Sequence, residues 1–450
     1  MTFFTNDSIM LIPFTIFEKY MFLDDQPAYP MDSFRFLRFS GRLKFNYFEA
    51  SIAEVIRYHP MLRSIIRQDQ HGQFFWEETD YPIFIRKIRG PLAARFPNPE
   101  AIDLFKEPGF KVYFVEEKNQ TSVLFQFHHS VSDGIGEMQV LADILSDYVF
   151  RFQGKSPPEN PRNLDPKLLF YRGSSGLTLA KYFRFFFSTA VTTYQLLFRF
   201  PTPLAPHVPL NTNIPAKDYL AFCADELTQE ETQNYFDRAK KCNVTINDLL
   251  IRDLFLTMGV WRKKWFVPQG NPWLRISMPM NLRTESLKNM PAANSVTMLF
   301  LDRKERDFSN PDRLLEKIHQ ETDWIKRTEQ KHVLLLSLKI RNRLPGGIKY
   351  ELMSPKCRAT AVLSNLGKIF ESLPFMRRHD GRLFVGNAVL EEIDATPPIR
   401  SGTLISLSTL TYANRLRLIL RYDAKNMTTE QAVDLLQIFF SFLKSEPAVP

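Results

Sequence analysis

Hydrophobic and polar residues alternate along several short runs of the chain, and a spacing of two predicts β-strands. The clearest runs are Ser33–Phe39, Phe110–Glu116 and Thr121–Phe127. The last two are separated by a turn-like Lys-Asn pair, which predicts a hairpin. Apolar residues recur at three and four positions in Phe45–Tyr58 and in Ile135–Tyr148, so these segments are predicted helices.

The second half of the chain carries several helix-start signals. Thr228 and Glu231 have capping-box spacing, and Thr428 with Gln431 repeats it before the last apolar run. Asn247, in the sequence Thr-Ile-Asn-Asp, is a predicted helix cap. With 450 residues, the chain is long enough for two domains that each bury a core.

A basic amphipathic helix is predicted over Leu179–Arg199. Its apolar side chains line one face and its polar ones, which include Lys181 and Arg184, line another. Five prolines between positions 201 and 215 then predict an extended linker. The helix either packs on the protein as a crossover, which amphipathic helices usually do, or lies on a membrane surface.

The strongest chemical signal is His128-His129-Ser-Val-Ser-Asp133-Gly134, where a predicted strand gives way to a helix. Alternation along the strand places His128 and His129 on opposite faces, so they have different tasks. Ser132 or Asp133 is predicted to cap the helix.

His129 is the candidate general base, because a neutral imidazole can accept a proton from a hydroxyl or an amine near pH 7. Asp133 could orient that ring, or it could pair with an arginine and hold the loop. A lone histidine pair more often serves packing or lies at the surface. The surrounding aspartate and glycine favour a catalytic role.

The sequence His-His-x-x-x-Asp-Gly at such a junction resembles the active-site motif of the chloramphenicol acetyltransferase-like superfamily. This superfamily includes nonribosomal peptide condensation domains, wax ester synthases, polyketide-associated acyltransferases and plant alcohol acyltransferases. The resemblance implies that His129 is the base, that His128 and Gly134 are structural parts of the motif, and that Asp133 binds an arginine. The Asp-Phe-Gly-Trp-Gly motif of the plant enzymes is missing, which argues against that branch.

Other segments extend the resemblance over nearly the whole chain. His59-Pro-Met-Leu-Arg63 resembles the condensation-domain segment whose arginine pairs with the motif aspartate, so Arg63 is the implied partner of Asp133. The helix start at Asn247 and the Ser364-Asn365-Leu-Gly element resemble segments that border the active site. Ser364 or Asn365 could donate a hydrogen bond to an oxyanion, although such residues more often fix a turn. Further matches are Pro279-Met-Asn281-Leu-Arg283 and, with alanine replacing glycine, Ala293-Asn294.

The resemblance also implies the fold. It predicts two α/β subdomains, each a mixed sheet flanked by helices, arranged as a pseudo-dimeric V around a central tunnel. The expected division is residues 1–175, a crossover helix and linker at 176–217, and residues 218–450.

The net charge and the cysteine content indicate which kinds of partner and which compartment to expect. A net charge of +9 favours anionic ones such as CoA, an acidic carrier protein or anionic lipid, and no nucleic-acid-binding motif accompanies it. Three cysteines without metal-ligand spacing predict a reducing compartment and no metal site. The absence of a signal peptide or a long apolar run predicts a cytoplasmic protein, with peripheral membrane contact through Leu179–Arg199 left open.

The preferred function is acyl transfer from a thioester, with acyl-CoA as the favoured donor, to the hydroxyl of a small molecule or lipid. No permanently bound cofactor is expected; acyl-CoA or an acyl-phosphopantetheine carrier is the co-substrate. The first alternative is a free-standing condensation enzyme that forms an amide or ester from carrier-bound acyl groups. The second is a catalytically silent binding protein, since fold does not determine function.

Overall fold

The computed structural model describes residues 10–90, 99–173, 186–206, 220–266, 270–352 and 356–445. The strands are β1 (Leu11–Pro13), β2 (Asp32–Ser40), β3 (Ser64–Gln68), β4 (Phe74–Glu78), β5 (Phe84–Arg89), β6 (Phe110–Glu116), β7 (Gln120–His128), β8 (Phe222–Glu226), β9 (Trp273–Asn281), β10 (Val296–Lys304), β11 (Ala361–Lys368), β12 (Phe384–Val385), β13 (Ala388–Thr396), β14 (Ile405–Tyr412) and β15 (Arg415–Tyr422). The helices are α1 (Ile16–Asp24), α2 (Phe45–Ile56), α3 (Gly134–Phe152), α4 (Phe186–Phe198), α5 (Gln229–Lys241), α6 (Ile246–Trp265), α7 (Pro311–Arg327), α8 (Val333–Arg341), α9 (Gly347–Leu352) and α10 (Thr429–Lys444).

Two six-stranded mixed sheets organise these elements. The first has the order β12-β13-β2-β7-β6-β5 and the second β10-β9-β11-β14-β15-β8. A small sheet, β1-β4-β3, lies beside the first. Each large sheet contributes to its own apolar core, with Phe48, Phe125 and Trp76 in one and Leu254, Trp261 and Phe439 in the other. The predicted two-part α/β fold is confirmed.

The division of the chain between the sheets differs from the predicted boundaries. β13 pairs antiparallel with β2, and β12 pairs with β13, so residues Phe384–Thr396 complete the first sheet although they lie far down the chain. The reason is that β7 pairs with only one edge of β2. The other edge also needs hydrogen-bond partners, and the backbone of β13 provides them while its apolar side chains join the first core.

Several predicted elements are confirmed, and two are corrected. The hairpin β6–β7 and the capping boxes at Thr228 and Thr428 are present. The sequence after Pro60 predicts a strand over Leu62–Ile66. Residues Pro60–Arg63 instead form a 3-10 turn, because proline fixes the first backbone angle of that turn, and β3 follows it. Helix α6 is capped by Thr245 and not by Asn247: the Thr245 hydroxyl accepts from the backbone of Asp248, which leaves Asn247 inside the first turn.

Only part of the predicted amphipathic helix lies within the described residues. α4 spans Phe186–Phe198, whereas Leu179, Lys181 and Arg184 fall outside the described ranges. Ala190 and Tyr194, from the predicted apolar face, are exposed. Among the helices of the described ranges, none combines the length and the apolar composition needed to cross a membrane.

Candidate active site

The histidine motif occupies the junction that its sequence predicts. Strand β7 ends at His128, and helix α3 begins at Gly134. The Asp133 carboxylate caps α3 by accepting from the backbone amide of Gly136 at 2.9 Å. The backbone amide of His129 donates to the Met31 carbonyl at 2.7 Å. The loop is therefore held at both ends by hydrogen bonds.

The two histidines point to different surroundings, as the alternation predicted. The His129 side chain lines a cavity and is 17% exposed. His128 is buried, with Nε2 3.5 Å from Oδ2 of Asp25. Burial opposes a charge on His128, but the hydrogen bond and charge of Asp25, together with the charge of Asp32, outweigh that effect and raise the pKa of His128. His128 is thus one of a group of ionisable side chains behind the site.

The tautomer of His129 follows from its backbone contact. Its Nδ1 lies 3.1 Å from the carbonyl oxygen of Ser132, and a carbonyl can only accept, so Nδ1 carries the hydrogen. Nε2 then keeps the lone pair that a base requires. The Asn294 side chain donates to the His129 carbonyl at 2.7 Å and fixes the residue from the other half of the chain.

A buried carboxylate lies behind the imidazole. Glu137 Oε1 is 3.8 Å from Nδ1 of His129, while Oε2 lies 2.6 Å from the guanidinium of Arg35. The Ser33 hydroxyl also donates to Glu137 at 2.7 Å. Burial lowers the pKa of Arg35, against the opposing charges of Glu137 and Asp133. The Glu137 carboxylate is therefore placed to favour a positive charge on the ring during proton transfer.

Asp133 binds an arginine, but not the one that the sequence implied. Its Oδ2 lies 2.7 Å from Nη1 of Arg283 and also accepts from the Ser295 backbone amide at 2.7 Å. Arg63 instead pairs with Glu78. The physical reason is the register of the two strands. Ser64, the first residue of β3, pairs with Glu78 of β4, so the Glu78 carboxylate lies close enough to neutralise the neighbouring Arg63.

The remaining predicted residues converge on the same cavity. Asn247, Ser364 and Asn365 line it together with His129, Asp133 and Gly134, and Asn365 Nδ2 donates to Asn247 Oδ1 at 2.7 Å. A Cβ on Gly134 would lie 2.7 Å from the Leu366 side chain, so glycine permits the close approach of the two halves. His128 and Arg63 do not line the cavity.

The cavity has a volume of about 910 Å³ and lies between the two halves, a size that suits a small-molecule or cofactor site. Strands β9 and β11 run parallel along it, with Ala361 beside Ile276. Asn281 and Asn365, near the ends of these strands, lie at the His129 side. Arg275, near the start of β9, also lines the cavity, as do Arg358 and Arg400.

Sequence reasoning missed four residues of this arrangement. Arg283 and Asn294 stood in segments that the resemblance had marked, so the Pro-x-Asn-x-Arg pattern was the available signal for the true partner of Asp133. Glu137 and Arg35 carried no signal, because their pairing depends on a helix residue meeting a strand that lies about a hundred positions away.

Comparisons with known proteins give a family match for part of the chain and two relatives in sequence. A family model described as Condensation domain matches residues 18–164. The Mycobacterium tuberculosis proteins MT2362 (strain CDC 1551 / Oshkosh) and Rv2305 (strain H37Rv), both named as uncharacterized, are each 22% identical over 358 residues, covering 74% of this chain and 77% of theirs.

Solved structures are similar over almost the full length. The first condensation domain of the calcium-dependent antibiotic synthetase, in complex with a substrate analogue, has a TM-score of 0.71 at 12% identity and covers 97% of this chain and 96% of its own. The starter condensation domain of rhizomide synthetase, in complex with C8-CoA, has a TM-score of 0.68 at 15% identity, covering 97% and 94%. An epimerization domain of tyrocidine synthetase B has a TM-score of 0.63 at 14% identity, covering 97% of each chain.

Proposed function

We propose that this chain, which has the condensation-domain fold of the chloramphenicol acetyltransferase-like superfamily, is an acyltransferase that moves an acyl group from a thioester to a hydroxyl. The single observation that carries this proposal is the hydrogen bond from His129 Nδ1 to the Ser132 carbonyl. It leaves a basic Nε2 on a side chain that lines the cavity between the halves. Fold likeness alone does not select a reaction, since an epimerization domain shares it.

In the proposed reaction, His129 Nε2 takes the proton of the acceptor hydroxyl while the oxygen attacks the thioester carbonyl. An oxygen–carbon bond forms, and the carbonyl electrons move to the oxyanion. The intermediate then collapses, the carbon–sulfur bond breaks, and the thiolate receives the proton from the imidazolium. Glu137, at 3.8 Å from Nδ1, stabilises the ring while it is positively charged.

Polar groups on the facing half supply the proposed stabilisation of the oxyanion. Ser364 and Asn365 line the cavity from β11, and Asn247 does so from α6. The amide of Asn365 is fixed by Asn247 and by the Gly367 backbone amide, which donates to its oxygen at 2.9 Å. A pre-oriented donor of this kind stabilises developing charge without rearrangement.

Acyl-CoA is the proposed donor. The rhizomide synthetase domain of similar fold was solved with C8-CoA, and the net charge of +9 here favours a polyanionic co-substrate. Arg275, Arg358 and Arg400 contribute positive charge to the lining of the cavity, although Arg275 and Arg400 are also paired with Asp302 and Asp24.

The test is a panel of acyl-CoA and acyl-carrier donors with hydroxyl and amine acceptors, read by product mass spectrometry. We expect ester product, with turnover lowered about 10²–10⁴-fold in His129→Ala. His71→Ala is the matched control, because it removes an exposed histidine that is distant from His129 in the sequence. Wild-type turnover in a folded His129→Ala protein would refute the mechanism, and amide as the only product would refute the hydroxyl acceptor.

A further inference from the structure

A group of exposed apolar side chains lines the cavity or stands next in the sequence to residues that line it. They are here named the rim, and they comprise Tyr194, Phe198, Phe200, Ile340, Leu344 and Tyr350. Tyr350 is 72% exposed and Phe200 63%, yet both line the cavity. Large apolar side chains that are grouped at a cavity mouth mark an interaction surface more often than scattered ones do.

The two segments that carry the rim are in contact. α4 provides Tyr194 and Phe198, whose rings lie 4.6 Å apart, and α8 with α9 and their connection provides the rest apart from Phe200. The Thr192 hydroxyl donates to the Gln330 side chain at 2.9 Å, just before α8. The rim is therefore one continuous surface and not two separate patches.

The charge around the rim has one dominant sign. Residues 339–350 contain four cations and no acidic residue. Lys339, Arg343 and Lys349 are exposed, and Lys356 lies over the ring of Phe200 at 5.6 Å. Aromatic and aliphatic side chains interspersed with lysine and arginine are the composition of a protein surface that binds the interface of an anionic membrane.

The cavity connects the rim to His129. The Arg199 carbonyl, just after α4, accepts from the Arg275 guanidinium at 3.1 Å, near the start of β9. β9 ends at Asn281, and Arg283 just beyond it binds Asp133. From Arg275 to Asn281 the path follows β9 for six residues of about 3.3 Å each, so it is about 20 Å long.

The walls along this path are largely apolar. Met21 and Met31 line it from the first half, and Val296, Met298 and Leu338 line it from the second. An alkyl chain in the cavity would contact side chains with low hydration, which is favourable in proportion to the apolar area removed from water.

We propose that the rim docks on an anionic bilayer and that an amphiphilic lipid substrate enters the cavity directly from the membrane surface. Docking follows from the rim itself, whereas the delivery of a substrate rests on the proposed function. The occupant is a lipid surface and not an acidic protein, because six large apolar side chains around a basic opening suit the interfacial region of a bilayer.

Vesicle sedimentation with the full-length protein tests the docking. Vesicles of phosphatidylcholine alone are compared with vesicles that also contain phosphatidylglycerol, at low and high salt. We expect at least about tenfold stronger binding to the anionic vesicles at low salt, and weaker binding as salt rises. Lys349→Ala should weaken binding about fivefold, and Phe198→Glu should weaken it at least as much.

Two matched controls keep the test specific. Lys106→Ala removes an exposed lysine, and Met376→Glu changes a 79% exposed apolar residue outside the rim. Both should bind vesicles like the wild type. Equal losses in the controls, or no preference for anionic vesicles, would overturn the proposal. Salt-sensitive binding that Phe198→Glu leaves intact would also overturn it.

A separate readout distinguishes docking from catalysis. His129→Ala should bind vesicles like the wild type, whatever reaction the cavity performs. Phe198 does not line the cavity, so Phe198→Glu should turn over a water-soluble donor and acceptor normally while losing turnover of a vesicle-embedded lipid. Loss of both activities with a lowered melting temperature would show that α4 is core, and would overturn the proposal.

Discussion

The carboxylate of Asp133 and the guanidinium of Arg283 lie 2.7 Å apart and join the two halves of the molecule beside His129. Asp133 also caps α3 and accepts from the Ser295 amide, so one side chain fixes a helix, an arginine and a loop. Arg283 in turn donates to the Ala293 carbonyl at 2.7 Å. The position of the motif loop therefore depends on residues from both halves.

We expect Asp133→Ala and Arg283→Ala to be coupled. Removing one member of a largely buried pair leaves the other charge uncompensated, at about 3–5 kcal/mol of unfolding free energy. The double variant should lose clearly less than the sum of the single losses. Urea denaturation of the four proteins measures the coupling.

Arg63→Ala provides the control for this cycle. Arg63 pairs with Glu78 and not with Asp133, so its loss should add to that of Asp133→Ala within about 0.5 kcal/mol. Coupling of Arg63 to Asp133 that equalled the coupling of Arg283 would contradict the observed pairing.

Gly136→Ala should destabilise the motif loop by about 1–3 kcal/mol, because an added Cβ would lie 2.4 Å from the Ser132 hydroxyl and 3.1 Å from the Ala293 backbone. The double variant, Ser132→Ala with Gly136→Ala, removes the Ser132 hydroxyl that the added Cβ would meet first. It should therefore recover part of the lost stability. Thermal melting measures both. A Gly136→Ala protein that melts with the wild type would show that the two halves are less closely packed here.

The contribution of Asp32 to the stability of the protein should fall as the pH rises from about 4 to about 6. Burial, with a further contribution from the charge of Asp25, raises the pKa of Asp32 to about 6, despite the opposing charge of His128. In that window the folded state binds more protons than the unfolded state, so raising the pH costs stability until Asp32 is fully ionised.

Asp32→Asn removes this titration and should flatten that part of the stability profile. Denaturant midpoints measured from pH 4 to pH 7 give the stability profile of each protein. Asp80→Asn, at an exposed aspartate, is the control and should keep the pH dependence of the wild type. An Asp32→Asn profile parallel to that of the wild type would show that Asp32 does not titrate in this window.

Helix α6 should depend on Thr245 more than on Asn247. Thr245→Ala removes the cap of that helix at a cost of about 1 kcal/mol. Asn247→Ala loses an exposed hydrogen bond to Asn365 and should cost less. Thermal melts of the two variants rank them, and the reverse order would contradict the observed cap.

Local patterns in the sequence were sufficient for much of the architecture. Strand alternation predicted the β6–β7 hairpin, and hydroxyl-to-carboxylate spacing predicted the cap at Thr228. The opposite directions of His128 and His129 followed from the same alternation. Each of these depends on residues close together in the chain, which periodicity and capping rules describe.

Long-range pairings were where the predictions failed. The resemblance implied Arg63 as the partner of Asp133 and marked Arg283 only as part of a matching segment. Only the sheet register shows that Glu78 already neutralises Arg63. The Glu137–Arg35 pair and the β13–β2 pairing likewise join residues that are distant in the sequence. Spacing along one strand contains no information about which strand lies beside it.

The placement of β13 beside β2 has a consequence for how the protein is made. When a ribosome has synthesised the first half, β2 still has an exposed edge, and its partner does not emerge until residue 396 has been translated. An unpaired strand edge readily joins the edges of other chains. We therefore expect nascent chains that stop before Phe384 to need chaperone protection, and to aggregate more than chains that extend past Thr396.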